Sequence, residues 1–479
     1  MSYKHGIYVS EQETSLTMPV EGTAGLQVIF GTAPCNLADN PADAVNKPKL
    51  CYSFAEAKAA VGYCDDFKNY TLCQAIDASF RVFNTAPIIL VNVLDPATHK
   101  TEVAATELIL TNKQGTIKDF GVIKSTLVVS ATSGGDALEE GTDYLASFDA
   151  DGMCTITALG AQTTVFVKYS KLDPTAVKDA DIVGSVGADG QATGLELLRT
   201  VYPKFGLTPG LISAPGWSHK ATVAAAMEAK CTNINGVFSC ECVVDIPTDT
   251  ARVYSAVKTE KEKLGADSAH TIACWPMGKV GEKVYYLSAL ISALQSYTDA
   301  NNDDVPYRSP SNQRLGITEL CLADGTEVIM DQDQANTVNS YGVVTALNMN
   351  GFKAWGNNTA AYPSSTDPKD RWIPCRRMFT WWGNTLIQTY FQKVDNPMNR
   401  RLIENVVDSE NIRGNSFVAR GYVASATVEF RDMDNPATDL LNGIIRFKVN
   451  LAPYVPAENI EFKLEFDTNA LTSSIVGGE

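Results

Sequence analysis

The residues able to do chemistry in this 479-residue chain are few and poorly arranged for it. Cys240 and Cys242 form a C-x-C pair inside GVFSCECVVDIP, with Cys231, His270 and Cys274 close in sequence. Thiolates and imidazoles can hold zinc, but zinc sites carry C-x2-C or H-x3-H pairs in two clusters. Reduced, buried thiols fit this scattered spacing better. Asp245 closes a predicted strand, where an α/β enzyme can place an acid; a helix-capping or loop aspartate is the plainer role. DANNDDVP, from Asp299, is acidic like a calcium loop, yet its sixth and twelfth positions hold Asp304 and Pro310 instead of Gly and Glu. The Gly-Lys of MGKV has no Gly five residues earlier and no following Ser or Thr, so it is no phosphate loop. There is no G-x-S-x-G elbow and no G-x-G-x-x-G after the first strand of the α/β region. The sequence therefore offers no catalytic, cofactor or metal centre.

Charge supplies one local anomaly. The chain carries a net charge of -16, against non-specific nucleic-acid binding and in favour of solubility at high copy number. Between Lys369 and Arg401, however, seven Lys or Arg stand against two acids. Such a patch is either a set of internal ion pairs or a contact face for an acidic partner.

The stretch NIEFKLEFD, residues 459–467, is the second anomaly. Ile460, Phe462, Leu464 and Phe466 alternate with Glu461, Lys463, Glu465 and Asp467, the period of a half-buried strand. A strand needs a partner for its backbone groups. GIIRFKVNL in the same chain is one candidate; a neighbouring molecule is the other.

The surrounding elements read as α/β and α+β, multidomain. After residues 1–25, an arm and linker with little core material, GLQVIFGTAP and APIILVNVL are strands that enclose two helices. The first helix opens on a capping box, Ser53 with Glu56. The second sets Cys73, Ile76, Phe80 and Phe83 on one face. Residues 26–100 thus form the first part of an α/β core. From 101 to 190 short alternating strands and Gly/Asp turns predict an inserted surface β-sandwich, with DADG as a hairpin turn and 13 acids against 6 bases. Residues 191–361 alternate strand and helix, ending with EKVYYLSALISALQSYTDA as a helix, and imply a largely parallel sheet. Residues 362–458 are α+β. RWIPCRRMFTWWGNTLIQTYFQ holds strand and helix candidates, and Asn396-Pro397 opens a helix with Leu402, Ile403, Val406 and Val407 as its buried stripe. Asn435-Pro436 repeats that opening for a shorter helix, and residues 459–479 form a terminal arm.

The N-terminal MSYKHGIYVSEQE has no apolar core of a signal peptide, and the longest apolar run is strand-sized; the expectation is a chain folded in a cytoplasm.

Four stretches resemble the tail sheath proteins of contractile-tailed bacteriophages and of bacteriocins built like phage tails. They are YKHGIYVSEQ with GTAGLQVIFGTAP; GWSH with the later CWP; AYPSSTDPKDRWIPCRRMFTWWGNTLIQTYFQKVDNPMNRRLIENVVDSENIRGNS; and VEFRDMDNPATDLLNGIIRFKVNLAPYVPAENIEFKLEFD. The resemblance covers most of the chain and is weakest over 101–190. It implies a structural protein, not an enzyme, without cofactors. Subunits would stack as hexameric rings around an inner tail tube in a metastable extended state, then contract without nucleotide to drive the tube through a host envelope. It further implies a tube-facing domain built from both chain ends, outward-facing inserted domains, and baseplate and tail terminator proteins as partners. Nucleic acid and direct membrane insertion are not expected; the place is a virion tail assembled in the host cytoplasm.

By the same resemblance, terminal arms lend strands to neighbouring subunits. The matching residues are Ile7, Tyr8 and Val9 in GIYVS, and Ile460, Phe462, Leu464 and Phe466, with EQETSLTMPVEG and APYVPAE as hinges. The basic patch gains the tube or a neighbouring copy as partner, through Arg400, Arg401, Lys393, Arg376 and Arg377. Two other readings stay open from the residues: an α/β enzyme using 191–361 with Asp245 or His270, and an adhesion protein using the inserted β-domain.

Overall fold

The computed structural model describes residues 23–476. Its centre is an eight-stranded sheet in the order Phe352–Trp355, Val343–Asn348, Thr271–Cys274, Glu241–Asp245, Leu211–Ser213, Gln27–Gly31, Ile88–Asn92, Lys49–Cys51. The inner six strands are parallel, and each edge strand runs antiparallel to its neighbour. Strands such as QVIFG and IILVN are buried at every position because both faces are covered. Alternation still sorts their side chains. Val28, Phe30, Ile89 and Val91 join the large core on one face. Ile29, Ile88 and Leu90 pack on the other with Val61, Leu72 and Ile76. Each fully buried large apolar side chain contributes roughly 1.5–3 kcal/mol.

The first helix behaves as its cap predicts: Ser53 Oγ accepts the Glu56 N–H at 3.2 Å, and the helix runs Phe54–Val61. The second does not present a single stripe. The Thr71–Asp77 helix passes into a π turn, Ala78–Val82, and lies between two layers. Cys73 and Phe83 therefore enter the large core while Ile76 enters the opposite one.

Between the strands Ile88–Asn92 and Leu211–Ser213 stand two three-stranded antiparallel sheets. One is Lys100–Ile109, Thr164–Leu172 and Val128–Ser130; the other is Gln114–Phe120, Met153–Ala158 and Tyr144–Phe148. Their inner faces share a separate core that includes Ile117, Val129, Ile156, Val165 and Val167. The DADG turn closes the hairpin as expected, with Asp149 Oδ1 accepting the N–H groups of Asp151 and Met153.

Local readings need correction in the α/β region and beyond. Lys283–Tyr286 is a strand antiparallel to Met277–Val280, so the helix expected from Glu282 starts only at Leu287 and ends at Ala300. Its β-branched and aromatic run KVYY suits a strand. The RWIPCRRMFTWWGNTLIQTYFQ stretch holds no strand; it is one helix, Ile373–Tyr390, preceded by a single turn. The next helix begins at Arg400, capped by Asn399 Oδ1 on the Leu402 N–H at 2.9 Å. Asn396 instead closes the preceding turn, its N–H donating to the Lys393 carbonyl at 3.2 Å. Of the expected stripe only Val406 is fully buried; the buried face continues through Ser409, Glu410, Arg413, Gly414 and Phe417. Asn435 is buried and bonds the Arg446 N–H at 2.7 Å through Oδ1, instead of capping the Ala437–Leu441 helix.

The two long helices pack on the hairpin Val423–Phe430/Phe447–Pro453 through Met378, Trp381, Trp382, Phe417, Tyr422 and Ala426. Gly414 permits this approach: a Cβ there would lie 2.1 Å from the Ala426 carbonyl oxygen. No described helix is long and apolar enough to cross a membrane.

Candidate functional site

The enzyme-like positions come first. In doubly wound sheets a ligand sits beyond the carboxyl ends of the strands, where the connections reverse direction. Here that point lies between Gln27–Gly31 and Leu211–Ser213, and it is filled by the chain itself. Thr71 Oγ1 accepts from Trp217 Nε1 at 3.2 Å and from the Thr32 N–H at 3.3 Å. A Cβ on Gly31 would stand 2.5 Å from Thr71 Oγ1, and one on Gly216 2.6 Å from Thr71 Cγ2.

Asp245 is similarly committed to the fold. Its Oδ1 accepts the Ser288 N–H at 2.9 Å, and its Oδ2 accepts the hydroxyls of Ser218 and Ser288 at 2.9 and 2.5 Å. It thereby occupies the amino-terminal end of the Leu287–Ala300 helix, where an anion would otherwise bind. Burial pushes its carboxyl up to about 6 despite these bonds.

The thiols make no metal centre. Cys231, Cys240 and Cys242 are buried near one another, the Cys240 N–H donating to the Cys231 carbonyl at 2.8 Å. Cys242 lies opposite Thr271 in register, which leaves Cys274 three residues further on, opposite Asp245. Burial raises the Cys231 and Cys274 thiols well above their ordinary range. His270 Nδ1 lies 3.2 Å from the Cys240 carbonyl. Among the described residues no group of His, Cys, Asp and Glu could hold a metal ion.

The basic patch divides into inner and outer members. Arg377 is 2% exposed and holds Asp299 through both terminal nitrogens, while Nη2 also donates to the Ala24 carbonyl at 3.0 Å. It ties the start of the first strand, the Leu287–Ala300 helix and the Ile373–Tyr390 helix together, so the expectation that it touches a tube or neighbour does not hold in this conformation. Arg376, little exposed, pairs with Asp370 at 3.1 Å. Arg400 is exposed and pairs with Glu404 at 2.7 Å, an i,i+4 pair on the helix surface. Lys393 and the exposed Arg401 make no ion pair among the described residues.

The arm is the most unusual feature. The hairpin ends at Pro453, and residues 454–467 have no regular structure. Ile460, Phe462, Leu464 and Phe466 are 70%, 85%, 98% and 71% exposed. Among the described residues, 459–466 make no backbone hydrogen bond. Residues 459–467 therefore form no strand with any described residue: GIIRFKVNL contributes Phe447–Pro453, which pairs with Val423–Phe430 and not with the arm. Among the described residues the two-stranded hairpin leaves both outer edges open. A short helix, Thr468–Val476, follows the arm. Ile7, Tyr8 and Val9 lie outside the described residues.

No family model matches the chain. It is 27% identical to the tail sheath protein of Burkholderia phage BcepMu over an alignment 489 positions long, covering 98% of both chains. It is 23% identical to the tail sheath protein of Escherichia phage P2, covering 83% of this chain and 95% of that one. The chain resembles tail sheath proteins along its whole length. Its fold is that of the sheath: the PVC sheath complex of an extracellular contractile injection system, in its contracted state, superposes with a TM-score of 0.59, 15% identity, and coverage of 98% and 99%. The contracted helical sheath of the anti-feeding prophage gives 0.57, 15% identity, and coverage of 98% and 100%.

Sequence reasoning missed the long-range arginine pairs Arg377–Asp299 and Arg371–Glu458. Their partners are 78 and 87 residues apart, beyond any local spacing rule.

Proposed function

We propose that this protein is the structural subunit of a contractile tail sheath, in a phage or a phage-tail-like particle. The single observation that carries this is the end-to-end likeness to tail sheath proteins in a chain whose arm exposes four alternating apolar residues that pair with no described strand. Subunits stack as hexameric rings on an inner tube, with baseplate and terminator proteins at the ends, in a metastable extended state. Contraction is driven by repacking, without nucleotide and without catalysis; the filled switch point and the missing phosphate loop support this. Assembly takes place in the host cytoplasm.

In this reading, residues 459–467 of one copy add a strand to an open edge of a neighbour's hairpin. Main-chain bonds hold the join, and Ile460, Phe462, Leu464 and Phe466 fix its register. Ile7, Tyr8 and Val9 supply the second arm. Arg400, Arg401 and Lys393, the outward members of the patch, face the tube or a neighbouring copy. Exposed pairs of this kind contribute about 0–1 kcal/mol each, which suits a tube that must be released.

Negative-stain electron microscopy of the purified chain at rising concentration, alone and co-expressed with its tube protein, tests the proposal. Rings or tubes are expected from the full chain and none from a chain lacking residues 459–479. Tubes of unchanged form without the arm would refute the strand exchange.

A further inference from the structure

We propose that Arg371 is the positioning residue that fixes where the carboxyl-terminal arm leaves the body, by holding Glu458. The inference rests on the reading of 459–467 as a donated strand and names the residue that aims it.

Arg371 is preorganised before the arm reaches it. Its Nε donates to Asn358 Oδ1 at 2.9 Å. Asn358 is itself buried, its Nδ2 donating to the Asn339 carbonyl at 3.3 Å. The guanidinium lies 4.0 Å from the ring centre of Trp372 and 4.4 Å from that of Tyr362. Two aromatic faces and an amide therefore hold the head group, leaving Nη2 to donate to Glu458 Oε2 at 3.2 Å. A planar, weakly hydrated guanidinium loses little freedom when it then binds a carboxylate.

On the arm side, among the described residues, the bonds between 454–460 and the body are Cys375 Sγ donating to the Tyr454 carbonyl at 3.7 Å and the Arg371–Glu458 pair. From Pro456 to Ile460 it runs along a cleft of about 820 Å³ whose other wall includes Asn312, Gln332, Asn336, Asn357 and Trp355. A wall rich in amides cannot absorb the apolar side of the arm, so Phe462, Leu464 and Phe466 remain outside it. Among the described residues Glu458 is thus the last bonded point before residues 459–467.

The pair is also releasable. Arg371 is 25% and Glu458 36% exposed at the side chain, so salt weakens their attraction. An anchor of this strength aims the strand and raises its effective concentration at a neighbour's edge. It can still break when bodies rotate during contraction while the main-chain bonds of the strand persist.

The test uses the full chain with a fluorophore on a cysteine introduced by Lys463→Cys, in the unassembled state and during assembly. Glu458→Ala changes only an exposed arm residue. It should lower the label's anisotropy, leave the melting temperature unchanged, and raise the concentration needed for assembly about fivefold, the effect of losing one such pair. High salt should do the same to the parent chain and little to Glu458→Ala. Arg371→Lys, which keeps the charge but loses the fork and the stacking, should fall between. Unchanged anisotropy in Glu458→Ala would overturn the anchor. The strand reading fails separately, if the chain without 459–479 assembles as the full chain does, and the anisotropy result stands in either case.

Discussion

Phe30 and Phe462 both sit in alternating or near-continuous apolar runs with strand character, and they meet opposite fates. Phe30 is 0% exposed between two strands and a helix layer; Phe462 is 85% exposed and pairs with no described strand. The difference is not in the residue or the pattern. QVIFG finds a parallel neighbour on each side within its own chain, whereas IEFKLEF has none among the described residues. A strand signal in a sequence states a need for backbone partners, and the body satisfies that need internally while the arm leaves it open.

The contrast can be broken at its ends. Phe30→Ala should cost the monomer about 3–5 kcal/mol, the usual result of emptying a packed aromatic site, whereas Phe462→Ala should change monomer stability by less than about 0.5 kcal/mol. Urea unfolding of both variants measures this; equal losses would mean that the arm packs in the isolated chain. A smaller effect belongs to the hairpin that the arm is proposed to extend. Gly414→Ala forces a methyl toward the Ala426 carbonyl, 2.1 Å away, and should cost about 1–3 kcal/mol by prising the helix from the sheet. It should also weaken assembly, because the neighbour's landing edge moves with the helix.

The smallest effect sharpens the account of the body alone. The Asp245 carboxyl is raised to about 6 by burial, above an ordinary value of 3.8. The folded chain therefore holds this proton more tightly than the unfolded one between about pH 4 and 6, and its stability contribution falls as pH rises through that window. Asp245→Asn should flatten the pH dependence of the melting temperature over that range, and leave the arm's assembly untouched.

Much of the body was legible from local pattern. Buried strands, the Ser53 cap and the DADG turn each carry their own signal within a few residues. What escaped is set by distance. The Arg377–Asp299 pair converts a stretch that reads as basic surface into a joint between two helices, and nothing near Arg377 announces Asp299. The close approach at Gly414 is set by distance too, since only the fold brings the Ala426 backbone beside it. The arm's alternation was legible as a strand, but the absence of an internal partner is a property of the whole fold. Of the patch residues, the sequence could not separate Arg400, on an open helix face, from Arg377, inside the protein.

The central claim is that the arm's apolar side serves a neighbour and not its own chain. Leu464→Asp places a charge on the most exposed member of that side, 98% accessible in the isolated chain. Electron microscopy and thermal unfolding of this single variant test the claim together. The account predicts a monomer with the parent's melting temperature that no longer forms rings or tubes. Tubes of normal appearance, or a monomer that melts several degrees lower, would contradict it.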